Sequence, residues 1–143
     1  MFRILLIDDD NDHATLIEEL LTQDDPSVEV DLCGSGRIAL ERLGEMADRG
    51  GVMPDLVLLD VNMPGLNGFD VLRRIKGDPR LAILPVVLLS TSRRSTDVET
   101  ALRHHANSYI CKSPDFDQFE RTIQHLRHYW RDVVARNTMA VQP

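Results

Sequence analysis

Cysteine is nearly absent from this chain: Cys33 and Cys111 are the only two among 143 residues. Both lie in apolar, strand-like runs, so they read as small buried thiols in a reducing compartment, not as a disulfide framework. Long apolar runs are missing too, and none approaches the roughly 18 residues of a membrane span. The start, MFRILLIDDD, enters a strand-like run directly, without the zones of a secretory leader. Positive charge is scarce: 16 Lys and Arg stand against 23 Asp and Glu, for a formal net charge of −7. Nucleic-acid binding by the chain alone is therefore not expected, because phosphate contacts demand a basic face. Neither a repeat nor a low-complexity segment is present, and the length suits one domain with a real core. What remains is a cytoplasmic protein of ordinary globular composition, 43% apolar and 27% charged.

The chain is organised around PDLVLLDVNMPGLNG, Pro54 to Gly68. Leu56 to Leu59 is an unbroken apolar run bracketed by turn signals, which reads as a strand buried on both faces of a parallel sheet. It ends on Asp60 and enters a Pro/Gly loop. Four further runs behave as strands. Arg3 to Ile7 ends in Asp8-Asp9-Asp10. Val28 to Cys33 alternates apolar with charged residues, as an edge strand does. Val86 to Ser90 follows Pro85, and Tyr109 to Cys111 ends at Lys112. Helical spacing follows each one, and the last helix, capped by Asp115, carries the stripe Phe119, Ile123, Leu126, Trp130 and Val133. Five strands alternating with five helices imply a doubly wound α/β domain with a parallel sheet. The flavodoxin-like strand order 2-1-3-4-5 suits that count, and its switch point lies between the first and third strands. Asp8 and Asp9 would then face Asp60 across one crevice, with Ser90 and Lys112 at its other side.

Three close carboxylates repel one another unless a cation neutralises them. An oxygen-only, water-exposed donor set suits Mg²⁺ better than caged Ca²⁺, and no His or Cys stands at these strand ends to suggest zinc. Metal, ammonium and hydroxyl grouped round one aspartate form a receptacle for a phosphoryl group, with the aspartate as nucleophile. Asp8, Asp10, Asp12 and Glu19 imitate a calcium loop, but His13 occupies the place where the sharp turn demands Gly. Two other readings stay open on the residues alone: a Mg²⁺-dependent phosphohydrolase using Asp8 as nucleophile, and a non-catalytic scaffold module.

The segments ILLIDDD (Ile4–Asp10), PDLVLLDVNMPGLNG (Pro54–Gly68), LPVVLLSTS (Leu84–Ser92) and SYICK (Ser108–Lys112) together resemble a response-regulator receiver domain. The ending HYWRDVV and the STS after the fourth strand are most similar to small stand-alone regulators that pair with phytochrome histidine kinases. The resemblance implies that Asp60 accepts a phosphoryl group from a sensor histidine kinase. It implies that Asp9, Asp60 and the backbone carbonyl of Asn62 hold Mg²⁺, with Asp8 acting through water. Lys112 would pair with the phosphoryl group, Ser90 would be the switch hydroxyl, and Tyr109 the aromatic that follows it inward. Such a protein is a switch, not an enzyme, with slow autodephosphorylation as its only chemistry. Two departures stand out. Receivers have Pro directly after the lysine, with a cis bond. Here Ser113 follows Lys112, and since a cis bond before it costs about 2.5–4 kcal/mol, a trans bond is expected. The fourth helix lacks its usual terminal Gly, which leaves Asn107 as the residue suited to a left-handed cap.

The domain is expected over residues 1–136, with 137–143 as a disordered tail too short to act as an effector, so output passes through a partner. A last helix from Asp115 to about Arg136 spans roughly 33 Å, against about 17 Å for a five-residue strand. Trp130, Val133 and Val134 should therefore overhang the sheet. Either this end curls back onto the first half of the chain or a second copy buries it; the expectation is a homodimer through the last strand and C-terminal helix, with the C-terminal arms embracing the partner.

Overall fold

The computed structural model describes residues 1–135; the expected tail at 137–143 and the end of the C-terminal arm lie outside them. Ten elements alternate: β1 (Phe2–Ile7), α1 (Asn11–Thr22), β2 (Val28–Cys33), α2 (Gly36–Arg49), β3 (Leu56–Asp60), α3 (Gly68–Gly77), β4 (Val86–Ser90), α4 (Ser95–Arg103), β5 (Ser108–Cys111) and α5 (Phe116–His128). The strands form one parallel sheet in the order β2-β1-β3-β4-β5, the expected flavodoxin-like arrangement. No helix among the described residues is long and apolar enough to cross a membrane.

Strand pleating divides the core into two layers. Leu5, Ile7, Val57, Leu59, Val86 and Leu88 face α2, α3 and Ala101 of α4. Ile4, Leu6, Leu56, Leu58, Val87 and Leu89 face α1 and the Phe119, Ile123 and Leu126 stripe of α5. All five residues of β3 and of β4 are buried, which explains their unbroken apolar runs. Local caps fix where the helices start: Asp10, Ser35 and Asp115 each accept a hydrogen bond from the third following backbone N–H. Asn67 and Asp70 form a reciprocal capping box at α3.

Three local expectations are corrected or refined. The residue with positive φ after α4 is His105 (φ 68°), not Asn107. Asn107 is engaged elsewhere, because its side-chain oxygen accepts from the backbone N–H of Val86 at 2.9 Å and from Lys76 Nζ at 3.1 Å. Cys33 is buried as expected, whereas Cys111 on the edge strand is only half-buried. No cis peptide bond occurs among the described residues, so Lys112–Ser113 is trans.

The C-terminal helix is shorter than its stripe predicts. Regular α-helix ends at His128, one π turn covers Tyr129–Val133, and the chain is extended at Val134. Trp130 does not overhang; it packs half-buried against the layer formed with α1, and Val134 is also half-buried. Two arginines draw this end of the chain inward. Arg127 donates to the carbonyls of Leu21 (3.1 Å) and Gln23 (2.9 Å), and Arg131 pairs with Asp25. The last turn of α1 carries no basic residue of its own, so Arg127 supplies the cation that its unsatisfied carbonyls attract. Tyr129 and Val133 remain more than half exposed.

Candidate functional site

Among the described residues, three polar side chains are buried: Asp8 (3% exposed), Asp60 (5%) and Ser90 (0%). All three sit at the carboxyl ends of adjacent strands. Register explains their convergence, since Ile7 pairs with Leu59, Asp60 with Leu89, and Ser90 with Cys111. Gly68 brings α3 against the same end: its backbone N–H donates to Val61 at 2.9 Å, and a Cβ there would lie 2.6 Å from the Asp60 carbonyl oxygen.

Carboxylate oxygens of Asp8, Asp9 and Asp60 all lie within 4.8 Å of one another. Lys112 Nζ donates to Asp60 Oδ1 at 2.5 Å, and both side chains are largely buried. Three carboxylates facing one ammonium leave an excess of negative charge and only oxygen donors, which fits a hard divalent cation. Asp8 and Asp9 follow β1 directly and Asp60 ends β3, so the switch point assembles the cluster. Asn62 stands two residues beyond Asp60, exposed between the buried Val61 and Met63.

The two buried carboxyls are pushed in opposite directions. Burial raises Asp8, but hydrogen bonds from His13 and the Asp10 N–H, together with the Lys112 charge, outweigh it and hold the group below its ordinary value. Burial also raises Asp60, and the Asp8 charge adds to it; the Lys112 hydrogen bond and charge offset only part, so Asp60 stays above its ordinary value. A nucleophilic Asp8 is disfavoured by this geometry. Its Oδ1 accepts from Asp10 N–H at 3.0 Å and its Oδ2 from His13 Nδ1 at 2.7 Å.

Ser90 and Tyr109 form a second group, joined through a residue to which sequence reasoning gave no role. Ser90 Oγ accepts from the Ser92 N–H at 3.0 Å. The Ser92 carbonyl accepts from the Tyr109 hydroxyl at 2.9 Å and the Cys111 thiol at 3.4 Å. Ser92 Oγ donates to Asp97 of α4 at 2.5 Å, so one residue ties the candidate switch hydroxyl to both β5 and α4. His13 was also missed as a site residue. Its signal was the Asp10 cap, which fixes the first turn of α1 and carries His13 back over Asp8.

Comparison with known proteins agrees with this geometry. Residues 4–124 match the model of the response regulator receiver domain. The chain is 36% identical over 129 residues to a probable methanogenesis regulatory protein, FilR2, of Methanothrix harundinacea, covering 90% of this chain and 83% of that one. It is 31% identical over 133 residues to the response regulator Rcp1 of Synechocystis, covering 92% and 90%. The Mn²⁺-bound structure of Rcp1 superposes with a TM-score of 0.87 at 29% identity, covering 96% of this chain and 100% of that one. The phosphorylated cyanobacterial phytochrome response regulator RcpA gives 0.87 at 32%, covering 96% and 99%. The buried aspartates at the sheet's switch point and these matches lead to one conclusion: the chain belongs to the response regulator receiver domain family.

Proposed function

We propose that this protein is a single-domain response regulator that accepts a phosphoryl group on Asp60 from a sensor histidine kinase and thereby switches the binding of a partner. The observation that carries the reading is the Lys112 ammonium held 2.5 Å from Asp60 inside a three-carboxylate pocket. An Asp60 oxygen attacks phosphorus, the P–N bond of the kinase phosphohistidine breaks, and the departing imidazole nitrogen keeps the electron pair and takes up a proton. Lys112 is placed to meet the charge gathering on the phosphoryl oxygens. Mg²⁺ is the proposed ion: Asp9, Asp60 and the Asn62 carbonyl would hold it, and Asp8 would act through water. When bound, it neutralises the pocket and the phosphoryl oxygens.

Ser90 is the group that would turn toward the new phosphoryl oxygens, releasing the Ser92 N–H and with it the Tyr109–Ser92–Asp97 chain. The only chemistry expected of the protein alone is slow autodephosphorylation. RcpA is a phytochrome response regulator and this chain covers 90% of Rcp1, which supports a phytochrome-type kinase and a stand-alone regulator; the proposed setting is cytoplasmic. A homodimer through β5, α5 and the turn after it is part of the proposal, because Phe116 (53% exposed) at the start of α5 and Tyr129 (52%) and Val133 (59%) in that turn present apolar side chains to solvent.

Incubation with acetyl phosphate and Mg²⁺ tests the central step. Intact-mass measurement should show a gain of about 80 Da, the mass of HPO₃, that maps to Asp60 and is lost on hydroxylamine treatment. A protein that stays unmodified, or carries the group on Asp8, overturns the reading.

A further inference from the structure

Lys112 stands between two buried carboxylates, Asp60 and Asp8, and its charge acts on both. Its hydrogen bond nevertheless goes to Asp60 alone. The reason lies at position 13. Asp8 is acceptor-only, so the 2.7 Å contact with His13 Nδ1 requires the hydrogen to sit on that nitrogen. With Asp10 N–H on Oδ1, both Asp8 oxygens then have protein donors. Lys112 Nζ comes within 3.5 Å of the same His13 nitrogen, which is close enough to take its place. His13 is itself held from two sides. Its backbone N–H donates to the Asp10 cap at 3.1 Å, and its ring packs on Phe119 of α5 with centroids 5.7 Å apart.

We propose that His13 is a positioning residue that satisfies Asp8 and so keeps the Lys112 ammonium committed to Asp60. Remove the imidazole donor, and Oδ2 of a carboxylate 3% exposed loses its partner, with only Oδ1 still held by the Asp10 N–H, while an ammonium waits beside it. Lys112 then divides between Asp8 and Asp60. Its share on Asp60 is the share available to a transferring phosphoryl group, where Asp60 is the phosphoacceptor proposed above.

Composition makes the test clean, because Lys76 and Lys112 are the only lysines in the chain. Lys76 lies elsewhere, donating to the carbonyls of Ala82 and Leu84 and to Asn107. Its ammonium signal in a ¹H–¹⁵N spectrum therefore reports folding, and the Lys112 signal reports its partner. His13→Phe keeps a ring on Phe119 and loses the donor; His13→Ala loses both; His13→Asn returns an N–H near the Nδ1 position. Without divalent ions, the Phe and Ala variants should displace the Lys112 signal and leave Lys76 in place, while Asn restores the wild-type position. With acetyl phosphate and Mg²⁺, labelling of Asp60 should slow on the order of tenfold in His13→Phe and recover in His13→Asn. In a Lys112→Ala background, His13→Phe should add no further loss. A Lys112 signal indifferent to the donor at position 13 overturns the proposal, as does a His13→Phe loss undiminished in the Lys112→Ala background. If wild-type protein takes no label on Asp60, the proposed function falls, and the ammonium spectra still decide the role of His13.

Discussion

Gly68→Ala is a perturbation for which two physical effects predict opposite signs. Gly68 is the first residue of α3, and alanine favours helix over glycine by about 0.5–1 kcal/mol. On propensity alone the variant is more stable. The contacts say otherwise: the added Cβ would lie 2.6 Å from the Asp60 carbonyl oxygen, 2.7 Å from Val61 Cα and 3.1 Å from Asp60 C. All three are backbone atoms, which have no rotamer to escape into. The nearest falls about 0.8 Å short of the 3.4 Å at which ordinary contact begins, so α3 or the Asp60–Val61 loop must shift. Overpacking of this kind costs about 1–3 kcal/mol. Mid-range values, about 2 kcal/mol of overpacking less about 0.75 kcal/mol of propensity, leave an expected net loss of about 1 kcal/mol. At a mid-range urea slope of about 2 kcal/mol per molar, that loss lowers the unfolding midpoint by roughly 0.5 M. Circular dichroism follows the midpoint. Labelling by acetyl phosphate should also slow, because the displaced backbone carries the proposed nucleophile. A midpoint at or above wild type would refute the reasoning.

Asp60→Asn should fold normally, which circular dichroism checks, and take no phosphoryl label, which intact mass checks; labelling at the wild-type rate would remove Asp60 from its role. The same variant tests the raised Asp60. In wild type the native state holds this proton above the ordinary 3.8, so ionising the group costs stability as pH rises from about that value through the raised one. Urea midpoints in the absence of divalent ions should therefore show Asp60→Asn gaining on wild type across that window and levelling off above it; a constant difference sinks the idea. Calorimetric Mg²⁺ titration should show a larger loss for Asp9→Ala than for Asp8→Ala, because Asp9 is exposed whereas Asp8 is committed to His13 and Asp10; equal losses reverse that ranking. Tyr129→Lys with Val133→Lys should shift a sedimenting dimer to monomer and leave the urea midpoint unchanged at concentrations where wild type is itself dissociated. Trp130→Ala should lower the midpoint, since Trp130 packs on the core; a wild-type protein that is monomeric at high concentration ends the dimer proposal.

How much of this was legible beforehand follows from how local each cause is. The strand order, the meeting of Asp8, Asp9, Asp60 and Lys112, and the place of Ser90 at the same end of the sheet could be read because buried parallel strands are unbroken apolar runs, and polar residues at their ends stand out against them. The Asp115 cap was legible for the same reason: it acts within one turn. His13 and Ser92 were not, since each acts across the fold, through α1 onto Asp8 and from the β4–α4 loop onto Tyr109. The left-handed His105 was missed because Asn107, the better residue for that conformation, is held by Val86 and Lys76. The shortened C-terminal helix had the same kind of cause. Its apolar stripe runs on past His128, and only the docking of Arg127 and Arg131 onto the corner after α1 accounts for where Trp130 goes.

That corner has a consequence for how the chain is made. The carbonyls of Leu21 and Gln23 wait for a guanidinium more than 100 residues downstream. A ribosome delivers residues in order, so the first helix leaves the tunnel long before the arginine that completes it. Until α5 arrives, one face of the sheet lacks the Phe119, Ile123 and Leu126 stripe, and the end of α1 is held by water alone. The last helix synthesised is thus a keystone: nascent chains arrested before Arg127 should exchange the amides of α1 rapidly, and those arrested well beyond it should protect them.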